Sequence, residues 1–396
     1  MKTPKTRRVL SLSTLFPNPA QPRFGIFVAR SLEALQRDTK WDVTVINPIG
    51  LPPVALGRYR ELAAAAQDSE DFGIRVHRPV FRLIPKIGGR LNPALIARAV
   101  LPLVRRLHAQ NPFDLVDAQF FYPDGPAAMM IARDLGLPFT VKARGSDIHH
   151  WGARRYGRDA LLKTARAASG VLAVCKALAD DMAMLGMERE KIRVHYTGLD
   201  RDLFRPMDHA GLRARLAQTF DVPLTNDDLL LVTVGALIER KGQALVIKAL
   251  AHLPKGRLLL IGKGEDRASL LALARDVGVA DRVHMLGSLD PAVLPPLLSA
   301  ADAMVLPSAS EGLANAWIEA LACGTPIVIT DAGGAREVVT SPDAGVIVAR
   351  NCRAVREGIE LVTARPRSPE KVAAAVDEFS WAANGKALAA YYDTLV

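Results

Sequence analysis

Short apolar runs alternate with amphipathic helical stretches along the whole chain. The runs are rich in Val, Ile and Leu, which is typical of strands that are buried on both faces. In the first half the pattern predicts strands over residues 8–13, 43–47, 115–119, 139–143, 171–175 and 192–196. In the second half it predicts strands over residues 229–234, 257–261, 283–286, 303–306, 326–330 and 345–348. Helical stretches between the strands, such as 177–185 and 243–253, indicate parallel sheets covered by helices.

The alternation is interrupted once, near residues 200–226, where Phe204, Pro206 and a polar stretch at 225–228 separate two series of strands. A length of 396 residues also fits two domains. We therefore expect an α/β protein with two Rossmann-like parallel-sheet domains facing a cleft, over residues 1–205 and 206–378. Ligands of open α/β sheets bind at the carboxyl ends of the strands, so we expect the site there.

Composition favours a globular protein in a reducing compartment. Hydrophobic residues make up 49% of the chain and charged residues 23%. The three cysteines, Cys175, Cys323 and Cys352, form neither a CxxC pair nor a metal-ligand spacing. The amino-terminal apolar run meets Pro17 early, which favours a buried strand over a signal peptide. We expect a cytoplasmic protein, either soluble or peripheral on the inner face of the plasma membrane.

The net charge of +10 is unevenly distributed. Residues 1–205 hold 32 Lys and Arg against 19 Asp and Glu, a balance of +13, and the remainder holds 19 against 22, a balance of −3. Zinc-finger and aromatic RNA-binding patterns are absent from the sequence, so we expect no nucleic acid partner. The segment 75–106 fits two alternatives. It either docks on an anionic membrane or forms an ordinary basic surface that covers a buried helix face. Its relevant residues are Arg75, Arg78, Phe81, Arg82, Leu83, Ile84, Lys86, Ile87, Arg90, Arg98, Arg105 and Arg106.

The strongest candidate for chemistry is the segment that begins at Ser310 and Glu311 and continues to Glu319. It comes after a predicted strand and is predicted to open a helix that ends at Gly324, with its two carboxylates eight residues apart. Unsatisfied N–H groups at the helix start, on Gly312, Leu313 and Ala314, can hold phosphate oxygens without a metal ion. Glu311 then binds sugar hydroxyls and Glu319 ribose hydroxyls. The alternative is a first-turn acid favoured by the helix dipole and a solvated glutamate.

Two further loops come after strands in the second half. The first contains Gly235, which allows a phosphate to approach the backbone, and the cations Arg240 and Lys241, of which Lys241 can offset diphosphate charge. The second is a short turn at Gly262 and Gly264, a weaker signal than a full GxGxxG motif. Ordinary connecting loops with exposed charges remain the alternative for both. A nucleotide base is expected to meet the backbone near Met285 and Leu286.

The first half carries two candidate loops of its own. Arg144 and Asp147 come after a predicted strand, where they are expected to meet the sugar or the acceptor. The adjacent His149 and His150 are not expected to bind a metal, because neighbouring residues rarely face one ion. The proline-rich loop that ends at Gly25 either closes over a diphosphate through its amides or is a surface loop.

In this order, these motifs resemble glycosyltransferase family 4, whose members have the GT-B fold and are retaining enzymes. Glu311 and Glu319 match the family's E-x7-E pattern, and the residues from Ala320 to Val328 match the family's next segment. The segment from Gly235 to Gly242 resembles the diphosphate loop. FPNPAQPRFGIFV and RGSD are similar to the branch around teichuronic-acid and exopolysaccharide enzymes. The helix predicted over 379–396 resembles the one that crosses back onto the first domain.

The resemblance implies a metal-independent hexosyltransferase that needs no cofactor. Its donor is a nucleotide-diphosphate sugar and its acceptor a glycan or lipid-linked sugar of cell-surface polysaccharide synthesis. It also implies catalytic roles for Lys241, Glu311, Arg144 and Asp147. Two positions depart from the family: Ala236 stands where Arg is usual, and Arg144 where His is frequent. These departures motivate the alternative of a catalytically impaired sugar-nucleotide-binding subunit. A nucleotide-sugar epimerase and a pyridoxal-phosphate-dependent phosphorylase fit the motifs less well.

Overall fold

The computed structural model describes residues 6–84, 88–208 and 211–396. Their contacts divide the chain into two compact units. The first comprises Met1–Gly198 together with Trp381–Val396, and the second comprises Leu199–Ser380. The limits inferred from the sequence, 1–205, 206–378 and 379–396, stay predictions of domain extent.

The first unit contains an eight-stranded sheet in the order β10-β9-β8-β7-β1-β2-β5-β4 and a separate pair, β3 and β6. Its strands are β1 (Arg7–Leu12), β2 (Trp41–Ile46), β3 (Ile49–Leu51), β4 (Ser69–Asp71), β5 (Ile74–His77), β6 (Val80–Arg82), β7 (Leu115–Ala118), β8 (Phe139–Ala143), β9 (Gly170–Ala173) and β10 (Ile192–Val194). Its helices are α1 (Ile26–Asp38), α2 (Arg58–Ala64), α3 (Asn92–Gln110), α4 (Asp124–Leu135), α5 (Ser146–Gly152), α6 (Arg155–Ala167) and α7 (Lys176–Leu185). Within the large sheet only β4 runs antiparallel to its neighbour.

The second unit contains a wholly parallel six-stranded sheet in the order β13-β12-β11-β14-β15-β16. Its strands are β11 (Leu229–Val234), β12 (Gly256–Ile261), β13 (Val283–Gly287), β14 (Ala303–Leu306), β15 (Ile327–Thr330) and β16 (Gly345–Val348). Its helices are α8 (Leu212–Phe220), α9 (Gln243–Leu250), α10 (Arg267–Asp276), α11 (Leu294–Ala300), α12 (Asn315–Ala322), α13 (Ala335–Val338), α14 (Cys352–Thr363) and α15 (Pro369–Ala373). The strand order reverses at β11, which places a crevice at the carboxyl ends of β11 and β14.

The α/β architecture predicted from the hydrophobic pattern is confirmed in both units. Each strand predicted from an apolar run appears in one of the two sheets. The pattern missed β3, β4, β5 and β6, which are only three or four residues long and partly exposed. Strands this short bury too few side chains to leave a recognisable period in the sequence.

The carboxyl-terminal helix α16 (Trp381–Asp393) belongs to the first unit, where it packs against α1. Its Leu388 and Tyr392 are buried in the core that surrounds Leu32 and Trp41. The ring of Tyr392 meets that of Trp41 edge-on at a centroid distance of 5.4 Å. Burial of these side chains stabilises the return of the chain to the first unit.

The basic segment 75–106 is less uniform than its sequence suggests. Arg78 is buried and forms an ion pair with Asp71, and Phe81 is buried as well, so neither lies on a surface. Lys86 and Ile87 lie outside the described residues. Arg105 forms an exposed ion pair with Asp134. The exposed arginines of the segment, apart from Arg105, are Arg75, Arg82, Arg90, Arg98 and Arg106. Among the described helices, none is long and apolar enough to cross a membrane.

Candidate functional site

The loop after β14 is held in place by contacts from two neighbouring segments, which contain Arg240 and Arg350. Arg350 donates a hydrogen bond of 3.1 Å from its Nε to the carbonyl oxygen of Pro307, and the N–H of Ala309 donates to the carbonyl oxygen of Arg240 at 2.7 Å. The guanidinium of Arg240 donates to the carbonyl oxygen of Ser310. These bonds fix the backbone of Ser310 beside the loop that comes after β11.

The helix predicted to open at Glu311 begins four residues later. Helix α12 starts at Asn315 and ends at Ala322, so Glu311 lies in the preceding loop. The N–H of Gly334 donates to the carbonyl oxygen of Gly312 at 2.7 Å, and a Cβ atom on Gly333 would overlap the same loop. This close approach by another loop keeps residues 311–314 out of helical geometry. Glu311 and Glu319 are therefore not two turns of one helix apart.

Glu311 forms the central ion pair of this region. Its side chain is 8% exposed, and its Oε1 lies 2.6 Å from Nζ of Lys241. Its Oε2 lies 3.6 Å from Nη1 of Arg240, whose side chain is 42% exposed. The structure thus brings together three residues from two loops, those after β11 and β14. A carboxylate between two cations leaves net positive charge here, which favours an anionic ligand.

Two of the three glycines of this region are required by loop packing. Cβ atoms on Gly262 and Gly264 would overlap the carbonyl oxygens of Gly235 and Leu237. Both glycines allow the turn after β12 to touch the loop after β11 backbone to backbone. The N–H of Gly235 donates to the carbonyl oxygen of Ile261 at 2.9 Å, so this donor is already engaged. A Cβ atom on Gly235 would make only ordinary contacts, at 3.7 Å or more, so packing does not explain this glycine.

The start of α12 keeps donors available. Within the described chain, no hydrogen bond joins a backbone acceptor to the N–H groups of Leu313 and Ala314, which precede the helix. Such orphan donors and the helix dipole together favour phosphate oxygens. Gly312, the third predicted donor, is tied through its carbonyl to Gly334.

Glu319 lies on α12 and is half-buried. No ion pair or side-chain hydrogen bond involves its carboxylate among the described residues, and burial raises its pKa to about 7. A carboxyl group without a partner in a half-buried position can accept hydrogen bonds from a ligand's hydroxyl groups.

Met285 and Leu286, near which a nucleotide base was expected, lie on β13 at the edge of the six-stranded sheet and are also half-buried. The carbonyl of Gly287, next along that strand, accepts from the N–H of Gly262 at 2.7 Å.

In the first unit, Asp147 is fully buried, and backbone N–H groups occupy its carboxylate. They belong to Phe121, Arg144, Gly145 and Ile148, at 2.8 to 3.2 Å. Burial raises the pKa of Asp147, and these hydrogen bonds act in the opposite direction. A carboxylate with this many backbone donors positions the loop after β8. The geometry therefore favours a positioning role over the catalytic role expected for Asp147.

Arg144 is committed to its own neighbours as well. Its Nε and Nη2 donate to the carbonyl oxygen and Oε1 of Gln119, at 2.9 and 2.6 Å. Its guanidinium stands 4.8 Å from the ring centre of Phe27. Burial lowers its pKa to about 10. The charge is retained at neutral pH, but two of its donor nitrogens already have partners.

Gly25 precedes α1 with a φ of 73°, and a Cβ atom there would overlap the carbonyl of Leu15. The position requires glycine because the residue before the helix touches the beginning of the loop after β1. His149 contacts Asp181 at 2.9 Å. Within the described part of the chain, no three His, Cys, Asp or Glu side chains converge as metal ligands.

Sequence reasoning missed a buried polar cluster in the first unit. Nζ of Lys142 lies 2.6 Å from Nδ1 of His195, whose Nε2 contacts the carbonyl of Asn384 on α16 at 2.9 Å. Burial lowers the pKa of both Lys142 and His195 well below their ordinary values. Asp117 on β7 is also buried, and it accepts from Ser11 and Thr140. Only a lysine within an apolar strand hinted at this cluster in the sequence.

Comparison with known proteins assigns both halves of the chain. Residues 14–203 match the model of Glycosyltransferase Family 4, and residues 215–378 match that of Glycosyl transferases group 1. The chain is 27% identical over 365 residues to the putative teichuronic acid biosynthesis glycosyltransferase TuaC of Bacillus subtilis, covering 89% of this chain and 88% of that protein. It is 36% identical over 173 residues to the lipopolysaccharide core biosynthesis glycosyltransferase LpsE of Rhizobium meliloti, covering 43% and 46%.

Solved structures share the fold at low sequence identity. Sucrose-phosphate synthase from Thermosynechococcus elongatus superposes with a TM-score of 0.79 at 20% identity, over 98% of this chain and 99% of that one. Anabaena HepE in complex with UDP-glucose superposes with a TM-score of 0.72 at 19% identity, over 98% and 99%. The chain is a glycosyltransferase with the GT-B fold, and it belongs to family 4, as the two adjoining family matches and the parallel-sheet units together show.

Proposed function

We propose that this enzyme transfers a hexosyl-type sugar from a nucleotide-diphosphate sugar to a glycan or lipid-linked acceptor, with retention of anomeric configuration and without a metal ion. The acceptor belongs to cell-surface polysaccharide synthesis. The enzyme works in the cytoplasm, where it meets the inner face of the plasma membrane.

The observation that carries the proposal is the pairing of Lys241 with Glu311 beside the start of α12. Lys241 is 13% exposed on its side chain, so it combines partial desolvation with an open face. A cation in such a setting stabilises negative charge more strongly than one in water. The backbone N–H groups of Leu313 and Ala314 add hydrogen-bond donors for the phosphate oxygens, so the proposed site needs no metal ion held by carboxylates.

In the proposed reaction the bond between the anomeric carbon and the phosphate oxygen breaks, and its electron pair moves onto the leaving diphosphate. Lys241 and the α12 amides stabilise that charge as it develops. The acceptor hydroxyl attacks from the same face, and its proton passes to the leaving phosphate oxygen. Atoms and charge balance without a protein nucleophile, so Glu311 serves to orient the sugar and Lys241.

The names of two relatives support the acceptor class, since TuaC refers to teichuronic acid biosynthesis and LpsE to the lipopolysaccharide core. The solved complex of HepE with UDP-glucose supports a nucleotide sugar as donor.

In the first unit, the exposed Val54 and Leu56 lie next to the exposed Arg58 and Arg60. We infer that this surface contacts an anionic membrane, because apolar side chains flanked by arginines suit its interface.

The test is a thermal-shift series at pH 8, above the raised pKa of Glu319, with chelator present. UDP, GDP, ADP and their sugar conjugates are compared. A ligand at about 100 times its dissociation constant adds about 2.7 kcal/mol to stability. We expect one nucleotide to stabilise the protein clearly, and Lys241→Gln and Glu319→Gln to lose most of that shift. Lys248→Gln, an exposed lysine on α9, is the matched control and retains it.

Each shift is measured from the variant's own unliganded midpoint, because Lys241→Gln removes the nearer of the two cations that pair with Glu311. Transfer to an acceptor is then followed with the stabilising sugar nucleotide, and product stereochemistry is read by NMR. Inversion at the anomeric carbon, or donor binding only with added metal, contradicts the proposal. Donor binding without transfer or hydrolysis favours the impaired binding subunit.

A further inference from the structure

A cavity of about 750 Å³ lies in the second unit, beside the edge strand β16. Its size is that of a pocket for a small molecule. It is formed by the chain before β16, by that strand, by the end of α14 and by the residues immediately after that helix. Its lining includes Val346, Leu361, Val362, Arg365 and Arg367.

The cavity is separate from the residues proposed to bind the donor. Donor candidates Gly235 and Glu311 come after the carboxyl ends of β11 and β14. The cavity instead includes residues 339–342 and Gly345, which lead into the amino end of β16. Because all six strands are parallel, these are opposite ends of the sheet. A ligand in the cavity is therefore not a part of the nucleotide sugar.

One wall of the cavity is apolar. Val346 lies on the strand, and Leu361 and Val362 lie near the end of α14. Leu361 is 60% exposed, although it is a large aliphatic side chain. Among the described residues, β16 pairs with β15 only, so no strand covers its other edge. Covering these side chains removes apolar surface from water.

The lining also carries two arginines, Arg365 and Arg367, that are close enough for their charges to interact. Nε and Nη1 of Arg367 are buried and have no hydrogen-bond partner within the described chain. Its Nη2 is 3.5 Å from the carbonyl oxygen of Pro342, a long contact. Asp343 is the acidic residue whose charge acts on Arg367, yet no ion pair joins the two in the part of the chain that the structure describes. Arg365 is exposed.

This arrangement is costly for a guanidinium group. Burial, and secondly the charge of Arg365, lower the pKa of Arg367. A buried donor without a partner loses its hydration and regains nothing, and the cost is larger for a charged group. An anion in the cavity supplies acceptors that match the planar fork of an arginine.

We propose that this cavity is a second ligand site, which binds a small molecule carrying one anionic group, a carboxylate or a phosphate, on an apolar body. The anionic group contacts Arg365 and Arg367, and the apolar body covers Leu361 and Val346. Since the residues differ from those of the donor site, the proposal stands independently of the sugar transferred.

The experiment uses three eight-carbon probes below their micelle concentrations: octanoate, n-octyl phosphate and n-octanol. Binding to the full-length protein is measured by calorimetry and located by methyl NMR spectra of Val346, Leu361 and Val362. We expect at least one anionic probe to bind about tenfold more tightly than octanol and to shift these methyl signals. The two anionic arms distinguish carboxylate from phosphate recognition.

Arg365→Gln is the main variant because it is exposed and leaves the fold intact. We expect it to weaken the anionic probe about tenfold, which corresponds to about 1.4 kcal/mol, and to leave octanol unchanged. Leu361→Ser weakens all three probes. Arg353→Gln, an exposed arginine at the start of α14, is the control and changes nothing. Equal binding of octanol and the anions, unshifted methyl signals, or an unaffected Arg365→Gln variant overturns the proposal.

Discussion

At the residue scale, Asp147 shows how a polar loop residue acquires its role from backbone contacts. The sequence offers a carboxylate after a strand, which fits both catalysis and loop positioning. The fold surrounds it with four backbone N–H donors. The donor from Phe121 was invisible in the sequence, because it lies on another loop 26 residues away.

We therefore expect Asp147→Asn to destabilise the protein. An amide has one acceptor oxygen, and its NH2 group would face backbone donors, so the free energy of unfolding falls by about 2 kcal/mol. Urea unfolding at pH 8 measures this change. Asp159→Asn, on the exposed face of α6, serves as the control with an effect below about 0.5 kcal/mol. Unchanged stability together with lost transfer activity would instead assign Asp147 to the substrate.

Unlike Asp147, whose partners are backbone N–H groups, Lys241 and Glu311 contact each other through their side chains. Both were predicted from their places after strands, and the fold joins them at 2.6 Å across 70 residues of sequence. The candidates were recoverable because strand ends of a parallel sheet meet at one edge. Their direct ion pair was not, because it depends on the loop path fixed by Arg240, Gly333 and Arg350.

At the scale of elements, the two loops after β11 and β12 form one packed pair. Besides the glycine contacts, the N–H of Leu237 donates to the carbonyl oxygen of Lys263 at 3.0 Å. The position of Lys241 therefore depends on a turn that contributes no side chain to the ion pair.

We expect Gly264→Ala to weaken donor binding at least about tenfold, because its Cβ would overlap the carbonyl of Leu237 and push the loop of Lys241 aside. Calorimetry with the preferred nucleotide measures the loss. Gly278→Ala is the control: its φ of 72° strains alanine, but its Cβ would meet nothing within 4 Å. We expect that control to cost about 1 kcal/mol of stability and to leave nucleotide affinity unchanged. Equal loss of affinity in both variants would refute the packing argument.

Helix α12 marks the limit of prediction for elements. A helix ending at Gly324 was predicted after the strand at 303–306, and the structure contains it, with Trp317 and Ile318 buried. Its start was not predicted, because Gly333 and Gly334 hold residues 311–312 in a loop. Local sequence preference sets where a helix is possible, and contacts from distant loops decide where it begins.

At the scale of the whole molecule, charge is concentrated in one half of the chain. The first 205 residues carry the excess of +13, and the exposed apolar side chains Val54 and Leu56 lie in the same half. Buried Arg78 is removed from this surface, and Arg58 and Arg60 remain on it.

We expect the protein to sediment with liposomes that contain anionic lipid at low salt and to be released at high salt. Arg58→Gln with Arg60→Gln removes about 1 kcal/mol per charge, or about thirtyfold in binding together. Arg353→Gln with Arg356→Gln, on α14 of the second unit, is the matched control and retains binding. Equal retention by neutral liposomes, or no retention at all, contradicts the proposed membrane contact.

The sequence by itself determined the class of fold, the two strand series and the loops where chemistry resides. It did so because buried parallel strands need continuous apolar runs and because strand ends carry the ligands. The tertiary structure alone decided which candidates are free. The carboxylate of Asp147 and the N–H of Gly235 have hydrogen-bond partners in the fold, and Lys241 is paired with Glu311. The carboxylate of Glu319 has no partner among the described residues. Hydrogen bonds between distant loops cannot be deduced from the order of residues along one chain.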